Sequence, residues 1–345
     1  VDSWGTFIQG KWAFAPDWSL DLGLRYTRVG FDSDDHFICT IGQVTAPGAQ
    51  AGTCSGSTTR ITATNLNPDD SGSQTYSAWT PAIGLLYGLT PDINLYANVG
   101  QTFETPTFTE LAYRPDGGSG LNLDLEPAMS WHYEIGAKIL IGPDARLNLA
   151  LFQIDTQDEL TVATNRGGRA TYQNAPASRR RGAELSLDSQ LGHGFSGRVA
   201  ATYLDSELTD SYLACVDIPC RTLAPTLNAA TVEAGNRIPG VPLFTVFGEV
   251  AYAYEPLGFE AAVNLYGQDE VYVNDRNTET AGEYWLVNLR AGFTQELNRF
   301  RLSEFVRVDN VLDRAYISAV SVNDANGRYY APGPGTSFLF GITAS

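Results

Sequence analysis

No run of 18 or more apolar residues occurs in this chain, so no segment can cross a membrane as a helix. There is one Met and there are three His, which argues against a haem or copper specialist. The His are scattered: His36 in an expected loop, His132 on a polar strand face, His193 in a turn. No Cys-x-x-Cys occurs and no His stands beside a cysteine pair, against a zinc site. No nucleophile–base pair or Gly-rich phosphate loop stands out. These absences exclude the familiar enzyme classes and leave no call for a cofactor or a resident metal. Basic residues are also scarce, 22 against 39 acidic, for a net charge of −17. That excludes non-specific nucleic-acid binding, which needs cations against phosphate. Much of the acidity (Asp32, Asp34, Asp35, Asp69, Asp70, Glu207, Asp210) falls in expected loops, where solvation accounts for it. No basic region followed by an apolar one opens the chain at Val1, which reads as a mature or truncated start.

What is abundant points to strands and turns: 34 Gly, 17 Tyr and 16 Phe. Between Asp92 and Gly142, Ile93, Leu95, Ala97 and Val99 alternate with Asn94, Tyr96 and Asn98. Trp131, Tyr133, Ile135, Ala137 and Ile139 then alternate with His132, Glu134 and Lys138. This period of two defines strands with one apolar and one polar face. The pattern recurs from Trp4–Phe14 to Phe338–Ala344, giving about thirteen strands of roughly ten residues, the length a tilted membrane-spanning strand needs. It is blurred only where Phe152 and Ile154 fall opposite Leu147, Leu149 and Leu151.

Connections alternate strictly between short and long. Tight turns carry Pro16-Asp17, Pro91-Asp92, Pro143-Asp144, His193-Gly194 and Pro256-Leu257. Long loops are expected near 31–75, 104–129, 157–170, 205–242, 268–282 and 310–335. A soluble sandwich has no reason to gather every long loop at one end; an outer-membrane barrel does. Aromatics near strand ends (Trp12, Phe14, Trp18, Tyr87, Trp131, Phe195, Tyr254, Phe259, Trp285, Phe293) fit girdles at the two bilayer interfaces. The expected fold is therefore all-β, a transmembrane antiparallel β-barrel of the outer-membrane type over 1–345, in contact with lipid and lipopolysaccharide. An odd strand count cannot close an antiparallel barrel. The reading expects further strands before Val1. A passive porin and a secreted soluble β-sandwich, binding or hydrolytic, are the competing readings.

Four cysteines form two local pairs, Cys39 with Cys54 and Cys215 with Cys220, both in long loops and both expected as disulfides. Asn323-Asp324-Ala325-Asn326-Gly327 has the look of a calcium loop without its closing Glu, and is read as a turn. Arg114, Arg166, Arg169, Arg276 and Arg328 lie in or beside long loops with Tyr113, Tyr272, Tyr329 and Tyr330. Guanidinium forks bind carboxylate, phosphate or catecholate oxygens, and aromatics add flat contact area, which suits an anionic metal chelate. Of these, Tyr113, Arg114, Arg166, Arg169, Arg276, Arg328, Tyr329 and Tyr330 are the candidate ligand-binding residues.

Four segments, in order, resemble one family. They are Phe103-Glu104-Thr105-Pro106-Thr107-Phe108-Thr109-Glu110-Leu111; Leu125-Glu126-Pro127 with Tyr133-Glu134-Ile135-Gly136; Arg181-Gly182-Ala183-Glu184; and Asp309-Asn310-Val311-Leu312-Asp313-Arg314-Ala315-Tyr316 with Gly327-Arg328-Tyr329-Tyr330-Ala331-Pro332-Gly333. The family is the TonB-dependent outer-membrane receptors. The resemblance implies a barrel of about 22 strands filled by an N-terminal plug domain, of which this chain is the C-terminal barrel portion without the plug. It also implies import of a ferric siderophore or similar chelate with energy from TonB. By position, Glu104, Glu134, Arg180, Arg181 and Glu184 are expected to face the plug.

Overall fold

The computed structural model describes residues 1–35, 70–118, 120–166, 169–223, 225–297 and 300–345, and the backbone of two short segments, Cys39–Thr40 and Thr53–Cys54. Thirteen strands form one antiparallel sheet in sequence order. They are β1 (Asp2–Ala15), β2 (Trp18–Ser33), β3 (Gly72–Thr90), β4 (Ile93–Glu104), β5 (Ala128–Ile141), β6 (Ala145–Arg166) and β7 (Arg169–Gly192). The rest are β8 (Phe195–Leu208), β9 (Phe244–Tyr254), β10 (Phe259–Gln268), β11 (Tyr284–Leu297), β12 (Phe300–Asp309) and β13 (Ser337–Ala344). Each pairs only with its sequence neighbours, as a meander must, and β1 and β13 are the two edges. The other paired strands among the described residues are four two-stranded ladders in the connections, so no second large sheet faces this one as it would in a sandwich.

One expected loop is not a loop. Residues 157–166 and 169–170 continue the β6–β7 ladder as far as the Arg166–Arg169 pair. The β-branched run Thr161, Val162, Thr164 and Thr171 favours extended backbone, and the two Thr164 and Thr171 hydroxyls bond at 2.9 Å inside the pairing. At 22 and 24 residues, β6 and β7 greatly exceed a bilayer span and project beyond it at the long-loop rim.

The two faces differ as alternation demands. Ile135 (57% exposed), Leu151 (56%), Val263 (42%) and Phe340 (80%) stand bare on one side of the sheet. An apolar surface of that extent is not compatible with water and defines the lipid face. Aromatics bound it at both rims. Trp4, Tyr26 and Trp79 make a ladder at the long-loop rim, with ring centroids 5.3 and 4.9 Å apart. At the other rim Trp18 stacks on Tyr87 at 4.3 Å, Phe195 meets Tyr252 at 4.8 Å and Phe259 meets Phe293 at 5.0 Å. Trp18 and Tyr26 lie about 26 Å apart along β2, close to the apolar height of an outer-membrane barrel.

The opposite face is polar and internally paired. Arg198 binds Asp188 at 2.6 Å, Arg290 binds Glu249 at 3.3 Å and Asn288 donates to Asn264 at 2.8 Å. Two glycines make room there for large rings. A Cβ on Gly136 would collide with the Tyr96 ring and the Leu149 carbonyl, and one on Gly182 with Phe152 and the Tyr203 carbonyl. This explains the blurred alternation: Phe152 occupies the polar face because Gly182, on the neighbouring strand, leaves it a slot.

The buried core lies at the long-loop rim. Phe31, Tyr76, Leu111 and Leu125 form one cluster; Ala175, Leu208, Ala214 and Val232 form another. The helix α1 (Phe108–Leu111) enters the first through a capping box. Glu110 Oε2 accepts from the Thr107 amide at 2.6 Å, and the Glu110 amide donates back to Thr107 Oγ1. Leu111 is fully buried, worth about 1.5–3 kcal/mol for a leucine. Tyr76 donates to the Leu125 carbonyl at 2.9 Å. The Phe103–Leu111 and Leu125 motifs are thus staples that fold one loop against the barrel end.

Candidate functional site: the loop assembly at one rim

The loops at this rim are knitted to one another. Asp275, between β10 and β11, is the hub. Its Oδ2 accepts from the Tyr212 hydroxyl at 3.1 Å and from Asn323 Nδ2 at 2.9 Å. Asn323 Nδ2 also donates to the Val162 carbonyl at 2.6 Å, and Asn236 Nδ2 donates to the Asp275 carbonyl at 2.9 Å. Side chains from two other inter-strand segments, Tyr212 between β8 and β9 and Asn323 between β12 and β13, therefore meet at this carboxylate. Burial pushes the Asp275 carboxyl up, against the opposing pull of those two donors, and no cation lies within ion-pair distance among the described residues. Burial also raises the Tyr212 phenol, with the Asp275 charge adding to it. A backbone splice runs alongside. The Asn165 amide donates to Asn323 and the Ala325 amide to Asn165, joining the β6–β7 tip to the loop before β13. Asp324 caps the amides of Asn326 and Arg328 at 2.9 and 3.0 Å, the turn expected there.

The candidate ligand residues divide into two groups. Four gather beside the Cys215–Cys220 disulfide, whose Cα atoms are 5.6 Å apart. Arg114 grips Asp116 with two nitrogens at 3.2 and 3.0 Å. That grip, with the Gly118 amide, holds the Asp116 carboxyl below its usual range. Arg169 lies 5.3 Å over the Tyr113 ring, and Arg166 binds Asp217 at 2.9 Å. The Cys220 amide donates to the Pro115 carbonyl at 2.8 Å, fastening the disulfide loop to this group. Between them lies a cleft of about 580 Å³, lined in part by Arg114, Asn122, Tyr172, Gln173, Asn174 and Arg221.

The other four lie around a second small core of Val271, Val273 and Ala281. Tyr329 packs against that core, and the Tyr330 hydroxyl donates to the Thr280 carbonyl at 3.1 Å. Arg276 and Arg328 are exposed there. The structure does not bring the two groups into one pocket among the described residues. The Cys39 and Cys54 side chains lie outside the described residues, although their backbones pair directly.

Of the residues expected against a plug, Glu104, Glu134 and Glu184 share the polar face by register. Arg180 shares it too, but is bound at 2.6 and 3.0 Å by Glu159, which also accepts from Ser178. Positive φ at Asp158 (55°) precedes that carboxylate. Arg181 corrects the expectation. It is an even number of residues from Ala183 and Leu185 with no register shift between, so it shares the lipid-facing side of the wall, where its Nε donates to Gln153. Asp275, Tyr212 and Arg221 were not singled out by sequence, and Asn323 was read only as the start of a turn. They carry no motif, and their partners are distant in the chain. Only the polar character of the long loops hints at them.

The family model for the TonB-dependent-receptor-like β-barrel matches residues 1–311. This chain belongs to that family, and so to the outer membrane. It is 26% identical over 358 aligned residues to the metal-pseudopaline receptor CntO of Pseudomonas aeruginosa, covering 99% of this chain and 41% of CntO. Its fold matches the siderophore receptor PiuA of Acinetobacter baumannii (TM-score 0.69, 18% identity, 99% of this chain and 42% of that one). It also matches the ferric-catecholate import receptor Fiu of E. coli (TM-score 0.67, 17% identity, 99% of this chain and 44% of that one). The chain spans about two-fifths of the length of CntO.

Proposed function

We propose that this chain is the barrel portion of an outer-membrane receptor that captures a ferric siderophore or similar metal chelate and imports it with TonB-derived energy. The observation that carries this is the family match across residues 1–311. Relatives named as siderophore and metal-chelate receptors, CntO among them, support the ligand class. In this reading the loop assembly faces outward and holds the ligand. The polar wall with Glu104, Glu134 and Glu184 faces a plug domain, and the apolar belt meets lipid below and lipopolysaccharide at the Trp4–Tyr26–Trp79 rim. The buried loop cores of this chain would keep that surface preorganised, which lowers the ordering cost of binding.

The test is uptake. Deleting the gene should abolish accumulation of at least one iron-labelled chelate under iron limitation, and disabling TonB should do the same. No defect for any iron chelate would overturn the siderophore assignment. Steady ion conductance by the purified full-length protein in planar bilayers would instead favour a passive pore.

A further inference from the structure

We infer that a groove on the lipid-facing wall, floored by Ala137, Ala183 and Ala201 and capped by Arg181, seats one acyl chain of lipopolysaccharide with a lipid A phosphate on the guanidinium. This rests on the outward orientation of the loops proposed above and names where that lipid binds.

The groove follows from side-chain size. Each alanine pairs across the sheet with a leucine: Ala137 with Leu149, Ala183 with Leu151, Ala201 with Leu185. The short side chains leave a hollow of about 700 Å³ between the long ones. These six residues all lie on the apolar belt by register, so the hollow opens toward hydrocarbon. An empty hollow forfeits dispersion contacts that a flexible chain restores.

The top of the groove lies at the headgroup level. Phe195 and Tyr203 stand on the outward face of β8, eight residues and about 26 Å apart, the apolar height of an outer-membrane barrel. Tyr203 pairs with Ala183, and Asp205 pairs with Arg181. Arg181 therefore stands about 7 Å beyond the belt on the long-loop side, where a headgroup phosphate lies.

The polar groups around Arg181 leave its fork open. Its Nε donates to Gln153 Oε1 at 3.1 Å, which fixes the side chain. Asp155 is occupied by Arg179 at 2.6 Å and by Gln153 Nε2 at 2.6 Å. The two terminal nitrogens of Arg181 make no hydrogen bond or ion pair among the described residues, although Asp205 stands opposite. A guanidinium end held at Nε and open at both terminal nitrogens is the complement of a phosphate. Asp205 is the charge that opposes it.

The experiment uses the full-length receptor, stripped of lipid in detergent. It is titrated with lipid A, phosphatidylglycerol and phosphatidylethanolamine, and bound lipid is read by native mass spectrometry. Wild type should bind lipid A in preference to both phospholipids. Arg181→Gln should weaken lipid A binding tenfold or more, and Arg181→Lys should recover part of the loss. Ala183→Leu, which fills the groove, should weaken it threefold or more, and Asp205→Asn should tighten it. An unaltered urea midpoint shows that the barrel of each variant remains folded. Unchanged affinity in both Arg181→Gln and Ala183→Leu overturns the site. Equal binding of phosphatidylglycerol overturns the choice of lipid. Preference for phosphatidylethanolamine overturns it too, and with it the outward orientation of this rim. Chelate uptake is scored separately, so loss of the groove leaves the receptor reading standing.

Discussion

Gly136 shows how an absent side chain fixes a strand pair. The Tyr96 ring lies over it from the neighbouring strand, and Lys138 sits 5.6 Å from that ring. Any larger residue must displace a ring that has nowhere else to go on the paired face. Gly136→Val in the full-length protein should therefore lose about 1–3 kcal/mol, the usual cost of overpacking. The readout is the urea midpoint of unfolding from detergent micelles. The sequence displays Tyr133-Glu134-Ile135-Gly136 as a motif but not its reason, because Tyr96 comes from a different part of the chain. The same holds for Asn310. Its amide side chain donates to the Arg314 and Pro334 carbonyls, and its carbonyl accepts from Thr336, which makes the Asp309–Tyr316 motif a clasp rather than a ligand site.

At the scale of elements, the loops behave as one body because Asp275 joins them. Its carboxyl is raised by burial, so the closed assembly binds a proton more readily than the opened one. Stability from this group is therefore fully present below the carboxyl's ordinary pKa near 3.8 and declines as pH rises through the raised value. Hydrogen exchange at the amides of Asn323 and Val273 should show more protection in mild acid than at higher pH. Asp275→Asn keeps an oxygen for Tyr212 and Asn323 without the charge, so it should flatten that dependence. A steeper dependence in the variant would contradict this assignment of the buried charge. None of this was legible beforehand. Asp275 and Asn323 are two polar loop residues among many, and only the folded chain puts them 2.9 Å apart. The β6–β7 extension escaped for the opposite reason, since its Thr-rich run reads equally well as polar loop or as strand.

The whole molecule is governed by the contrast between its two faces. Leu149 lies near the middle of the apolar belt, between Ala137 and Leu185 on neighbouring strands. Leu149→Arg places a charge in the bilayer core and should cost about 2–4 kcal/mol. The adjacent Asn148→Lys, on the polar face, should cost much less. Folding of the full-length protein into phosphatidylcholine vesicles, followed by urea titration, measures both. Equal costs would mean that the apolar face does not meet lipid. The same contrast explains why the strands were readable: burial in lipid on one side and a polar wall on the other imposes alternation residue by residue.

What the sequence determined by itself is everything that follows from period and punctuation: the strands, the short turns, the aromatic belts and the rim that carries the loops. These are local consequences of a chain that must satisfy its backbone between lipid on one face and polar groups on the other. Four short motifs added the family. The tertiary structure alone decided how the loops close, that Arg181 stands on the lipid-facing wall, and that the candidate residues fall into two groups. Those outcomes depend on contacts between residues far apart in the chain, where neither period nor spacing carries a signal.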